Sequence, residues 1–99
     1  MTLLEKIMET LLKNKQYLAS KYGVSSIGLF GESVTEAFHA ESEIDIIVDF
    51  KKPIGLEIVD LGDELEKLLG HKVDLVSKNG IEKDYYKVFR KEIQYVVKQ

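Results

Sequence analysis

Leu4, Ile7, Met8, Leu11, Leu12, Leu18 and Tyr22 recur at three- and four-residue steps, which predicts an amphipathic helix with one apolar stripe. Thr2 followed by Glu5 predicts a capping box at its start, and Gly23 a stop. After Gly23 the period changes. Val24 to Phe30 is a short, β-branched and apolar run closed by Gly31, read as a strand. Glu32 to His39 is polar and mixed, a helical turn or two leading into a loop. Glu43 to Phe50 alternates: Ile44, Ile46, Val48 and Phe50 point one way, and Glu43, Asp45, Ile47 and Asp49 the other. That pattern is a strand with one buried face and one acidic face.

Pro53 suits the first position of a second helix, with Ile54, Ile58, Leu61, Leu65 and Leu68 at helical spacing and Gly70 as the stop. Gly55 and Gly62 each cost this helix about 1 kcal/mol against alanine, so it needs tertiary support. Lys72 to Val76 reads as another strand, with Asp74 facing away from Val73 and Leu75, and Ser77 to Gly80 as a turn. Ile81 to the end is expected to be helical through Tyr85, Val88 or Phe89, Glu92 and Val96, continuous or broken once. The alternation predicts an α/β, two-layer (α+β) arrangement with a small mixed sheet of about three strands, as one domain over residues 1–99.

Composition narrows the function classes. Hydrophobic residues make up 44% and charged residues 31% of the 99 positions, as in an ordinary globular protein. No cysteine is present, which removes disulfides and thiolate zinc sites. No stretch reaches the ~18 to 20 consecutive apolar residues of a membrane span. The opening Met1-Thr2-Leu3-Leu4-Glu5-Lys6 meets charge too early for a signal peptide, so a cytoplasmic location is expected. A net charge of −3 argues against general nucleic-acid binding, which relies on basic surface. A nucleotide held through a cation remains open, because the cation supplies the positive charge.

The candidate chemistry lies on the acidic strand. Residues two apart share a face, so Glu43 and Asp45 project together, and a neighbouring strand can set Asp74 beside them. Three such carboxylates suit hard divalent cations, and two ions would clamp both oxygens of a phosphoryl-type displacement. The competing account is that alternating acids only keep the outer face wet. Gly31, after the first strand, allows backbone N–H groups to approach a phosphate. His39 and His71 read as solvated, and Tyr85, Tyr86 and Phe89 as packing of the last helix.

Taken together, Leu29-Phe30-Gly31, eleven intervening residues, Glu43-Ile44-Asp45-Ile46-Ile47-Val48-Asp49-Phe50, and later Val73-Asp74-Leu75-Val76 resemble the minimal nucleotidyltransferases of the DNA polymerase β superfamily. That family carries a glycine–serine pair, a long gap, Asp-x-Asp on a strand and a third aspartate on the next. Gly31 matches the family glycine, Asp45 the second aspartate and Asp74 the third carboxylate. Glu32 stands in place of the serine, Glu36 where a second glycine is frequent, and Glu43 in place of the first aspartate. The resemblance implies Gly31, Glu32 and Ser33 against the phosphates, and Glu43, Asp45 and Asp74 as catalytic residues holding Mg2+, two ions in an active enzyme.

It further implies transfer of a nucleoside monophosphate, AMP from ATP, to a hydroxyl of a partner, with Asp74 helping to deprotonate the acceptor. Members of that family are often encoded beside HEPN-type proteins and can act as antitoxins by adenylylating them, so a HEPN-type protein is the partner the resemblance implies. The three departures bear on activity. Glu43 reaches about 1.5 Å further than aspartate. A carboxylate at position 32 near a phosphate costs on the order of 1 to 4 kcal/mol. Two functions therefore stand side by side: a metal-dependent transferase, and a catalytically inactive module that acts by protein–protein binding. Self-association is compatible with so small a chain, and no interface is specified.

Overall fold

A computed structural model describes residues 2–52, 55–80 and 92–97. Helix α1 (Leu3–Tyr22) leads into strand β1 (Val24–Leu29), a 3₁₀ turn at Gly31–Val34, strand β2 (Ile44–Phe50), helix α2 (Glu57–Leu69), strand β3 (Val73–Ser77), a second 3₁₀ turn at Lys78–Gly80, and strand β4 (Gln94–Tyr95). The sheet order is β3-β2-β1-β4. β1 pairs antiparallel with both β2 and β4, whereas β2 and β3 run parallel. A parallel pair needs a crossover, and α2 is that crossover. The arrangement is the predicted two-layer α+β fold with a mixed sheet.

Three of the four α-helix boundaries have a local cause. The Thr2 hydroxyl accepts from the Glu5 N–H at 3.0 Å, and the Thr2 N–H donates to Glu5 Oε1 at 3.3 Å, the predicted capping box. Gly23 and Gly70 end α1 and α2 in the left-handed conformation, with φ of 73° and 66°. α2 begins at Glu57 with no side-chain cap, later than the Pro53 start expected from the sequence. Gly55 thus precedes the helix, and its propensity cost does not arise. Pro53 and Ile54 lie outside the described residues.

Both helices pack on one face of the sheet. Ile7, Leu11 and Leu18 of α1 and Leu61 and Leu65 of α2 close over Ile27, Leu29, Ile44, Ile46, Val48 and Phe50. Leu12, expected in the stripe, sits at its margin and is 37% exposed. The opposite face carries a smaller apolar group of Phe30 and Ile47 with Val76 and Ile93. β2 is therefore apolar on both faces at Ile46, Ile47 and Val48, while Asp45 and Asp49 are half-buried on the second face.

The C-terminal segment corrects the sequence expectation. Residues 81–91, including Tyr85, Tyr86 and Phe89, lie outside the described residues, but Gln94–Tyr95 is a strand rather than the end of a helix. Val96 is buried, its N–H donates to the Ile27 carbonyl at 2.8 Å, and its carbonyl accepts from Lys15 Nζ at 2.9 Å. The sheet gains a fourth strand in place of the expected three. Among the described residues no helix is long and apolar enough to cross a membrane.

A polar knot ties the two helices at the surface. The Tyr22 hydroxyl donates to Glu64 Oε1 at 2.7 Å, and Lys21 Nζ lies 3.0 Å from the same oxygen and 3.1 Å from the Tyr17 hydroxyl. Contacts from Tyr17, Tyr22 and Lys21 hold the Glu64 carboxyl down to about 2. A folded pKa below the usual carboxylate value stabilises the fold above that value, and the stabilisation fades as pH falls through the folded one. Glu64→Gln is expected to lower the melting temperature at pH 7, with the deficit closing between about pH 4.5 and pH 2. Thermal melts across that range check it, and a deficit independent of pH would contradict the assignment.

Candidate functional site

The site is built where β1 leaves the sheet. Gly31 has a φ of 62°, which turns the chain away after Phe30. A side chain on Gly31 would not only be strained there: a Cβ atom would come within 2.6 Å of Asp45 Oδ2. Glycine is required because the Asp45 carboxylate lies directly against this turn. The Glu32 backbone beside it favours the ionised form of that carboxylate.

Asp45 is held through its backbone as well. The Phe30 N–H donates to the Asp45 carbonyl at 3.1 Å, and the Asp45 N–H donates to Ser33 Oγ at 2.8 Å. On the other side of β2, Asp45 pairs in register with Asp74 of β3. Neighbouring strands stand roughly 4.8 Å apart, so the two carboxylates share one edge of the second face. Asp74 is exposed, and Glu43 is exposed just before β2 begins.

Burial raises the Asp45 pKa, and the negative charges of Asp74, Glu43 and Glu32 raise it further against the Glu32 N–H. These are the acids singled out from the sequence, and their effect on one group shows that they share a neighbourhood. They do not, however, form a closed cage: among the described residues no three acidic or histidine side chains converge as a metal-holding group. The in-register pair Asp45 and Asp74 is nevertheless hard-oxygen chemistry. It fits a magnesium ion of the kind held by one or two carboxylates together with substrate phosphates.

The remaining candidates separate clearly. Ser33, expected beside the phosphates, is 1% exposed and points inward to the Asp45 N–H. The Glu32 side chain is exposed and accepts from Ser42 Oγ at 3.3 Å. Ser42 also accepts from the His39 N–H at 3.2 Å, and His39 Nδ1 accepts from the Glu41 N–H at 3.2 Å, so His39 orders its own loop. His71 Nδ1 lies 2.9 Å from the Leu69 carbonyl at the end of α2. Glu36 is exposed. Sequence reasoning missed the structural parts of Ser33 and Ser42. The available signal was a small hydroxyl two residues after a glycine that ends strand pairing.

Two variants test this geometry. Gly23→Ala and Gly70→Ala each place a Cβ in open space at positive φ, so each should cost about 1 to 2 kcal/mol. Gly31→Ala should cost more than either in urea unfolding, because its Cβ also meets Asp45; an equal cost would refute the contact. For Asp45 the sign is opposite to Glu64: a raised folded pKa means stability is complete below the usual carboxylate value and is lost as pH rises through the folded one. Asp45→Asn should therefore melt higher than the parent at pH 7 and lose that advantage below about pH 4, as scanning calorimetry would show.

Comparison with known proteins agrees with the geometry. Residues 11–96 match the model of the Nucleotidyltransferase domain family. The chain is 43% identical over 88 residues to MJ1217, a candidate protein adenylyltransferase of Methanocaldococcus jannaschii, covering 88% of this chain and 90% of that one. It is 38% identical over 97 residues to the protein adenylyltransferase MntA of Thermococcus cleftensis, covering 97% of this chain and 98% of MntA. Among solved structures, a candidate minimal nucleotidyltransferase superposes with a TM-score of 0.76 at 24% identity, over 95% of both chains. A complex of the tri-AMPylated Shewanella oneidensis HEPN toxin with its MNT antitoxin gives a TM-score of 0.61 at 20% identity, over 98% of this chain and 71% of the matched one. The chain that sets Asp45 and Asp74 in register beside the Gly31 turn belongs to the nucleotidyltransferase domain family.

Proposed function

We propose that this chain transfers AMP from ATP to a hydroxyl of a HEPN-type protein in the cytoplasm, and that it acts as an antitoxin by that modification. The observation that carries the reading is the in-register pairing of Asp45 with Asp74 beside the Gly31 turn. Its likeness to MntA and to a complex containing an AMPylated HEPN toxin supports the nucleotide and the acceptor.

Asp45 and Asp74 would hold a divalent cation that, when bound with the nucleotide, neutralises phosphate charge. Gly31 lets the Asp45 carboxylate stand against the turn, and the phosphates would approach that carboxylate and the turn backbone. Asp74, the more exposed acid of the pair, accepts the proton of the attacking hydroxyl. The hydroxyl oxygen bonds to the α-phosphorus, the bond to the bridging oxygen breaks, and pyrophosphate leaves. Glu43 stands at the entrance to β2 as a further oxygen donor.

One observation favours a second reading, a catalytically silent module that acts on its partner by contact. Four acids surround the turn, and Asp74, Glu43 and Glu32 all disfavour the ionised form of Asp45. A triphosphate would enter that same field. Repulsion from the Glu32 carboxylate on the order of 1 to 4 kcal/mol corresponds to about one to three factors of ten in affinity.

Calorimetric titration with Mg·ATP and Mn·ATP separates the two. The transferase reading expects metal-dependent binding and AMP incorporation into a HEPN-type protein, lost in Asp74→Asn. The silent module expects neither, with partner binding retained. In both cases Glu32→Ser with Glu43→Asp should tighten Mn·ATP binding by about tenfold or more. No gain from the double change would rule out charge repulsion as the controlling factor.

A further inference from the structure

Ser33 has no part in the transfer chemistry described above, yet it is the only polar side chain buried among the described residues. Its position follows from the hydrogen-bond pattern of the sheet. On β2, the Ile44 N–H points toward β3 and donates to the Lys72 carbonyl at 2.8 Å. Asp45, one residue on, therefore presents its N–H and carbonyl toward β1. An antiparallel pair at this point exchanges two bonds. Only one of them comes from the β1 backbone, the Phe30 N–H to the Asp45 carbonyl at 3.1 Å. The second would need the Phe30 carbonyl, but the Asp45 N–H instead donates at 2.8 Å to the Ser33 hydroxyl, from twelve residues away in sequence.

We propose that Ser33 is a positioning residue for Asp45: its hydroxyl replaces the missing ladder carbonyl where the chain turns at Gly31, and so fixes the direction in which the Asp45 carboxylate leaves β2. That direction sets the carboxylate against the Gly31 turn, at the strand position in register with Asp74. An alanine at position 33 keeps the turn but leaves the Asp45 N–H without its acceptor. A half-buried donor in that state opens the strand end locally, to let water in. The assignment also accounts for a serine at a position with no access to solvent, where a phosphate could not reach it.

The effect on nucleotide rests on the transferase reading; the effect on the strand does not. The experiment is Ser33→Ala, with amide hydrogen exchange measured by heteronuclear NMR and Mn·ATP affinity by calorimetry. Exchange at Asp45 should quicken by at least about tenfold while Ile47 and Val48, further along β2, stay within about threefold of the parent. Mn·ATP should bind about tenfold more weakly. Unchanged exchange at Asp45 overturns the proposal. So does an equal rise at all three amides, which is the mark of a residue that merely stabilises the fold. Faster exchange at Asp45 with unaltered Mn·ATP affinity overturns it too. A parent protein that binds no Mn·ATP defeats the transferase reading instead, and the exchange profile then decides the role of Ser33 alone.

Discussion

The structure depends on one strand having no free side. β2 is paired antiparallel along one edge and parallel along the other, and its central residues are buried above and below. Ile44, Ile46 and Val48 carry the helices, each contributing about 1.5 to 3 kcal/mol of burial. Ile47 supports Phe30 and Val76 on the opposite face. A register slip of one residue would exchange these sets and drive Asp45 and Asp49 under the helices. The packing that stabilises the domain is thus the same constraint that fixes where Asp45 stands.

The cost of the site is met at that strand. Burial and three neighbouring acids oppose the charge on Asp45, and two bonds of its backbone, to the Ser33 hydroxyl and from the Phe30 N–H, oppose its displacement. Apolar packing on the helix face is built from other side chains. The helix-face core therefore does not include the exposed acids at positions 32, 36 and 43.

Much of this was legible in the sequence because it rests on periodicity. The stripe of Ile7, Leu11 and Leu18, the capping box at Thr2, the stops at Gly23 and Gly70, and the helix-facing set of β2 are local signals, and each emerged as expected; the other face of β2, expected to be acidic, is instead closed at Ile47 by Phe30 and Val76. The approach of Asp45 to Asp74 followed from residue parity plus the assumption that the strands are neighbours. The failures have physical causes too. The segment through Val96 satisfies a helical spacing, but Ile93, Tyr95, Val96 and Val97 are also strand-favouring residues, and pairing with the open edge of β1 decided between them. The start of α2 moved because proline permits a helix start without enforcing one.

Ser33 marks the deeper limit. Glu32 before it is charged and exposed, and its own type suits a phosphate loop, so chain-local reasoning sends its hydroxyl outward. What turns it inward is a deficit created elsewhere: β1 bends away at Gly31 before β2 has received its last bond. Gly31 bends the chain through its positive φ, the Asp45 carboxylate stands where a side chain on it would be, and Ser33 supplies the bond that the bend removes. The glycine, the serine and the aspartate are thus one device distributed over fifteen residues of chain, and each has a physical reason only in the presence of the other two. A substitution at the exposed Glu32 changes the charge that a ligand meets. A substitution at Gly31 or Ser33 changes whether Asp45 is presented to a ligand at all.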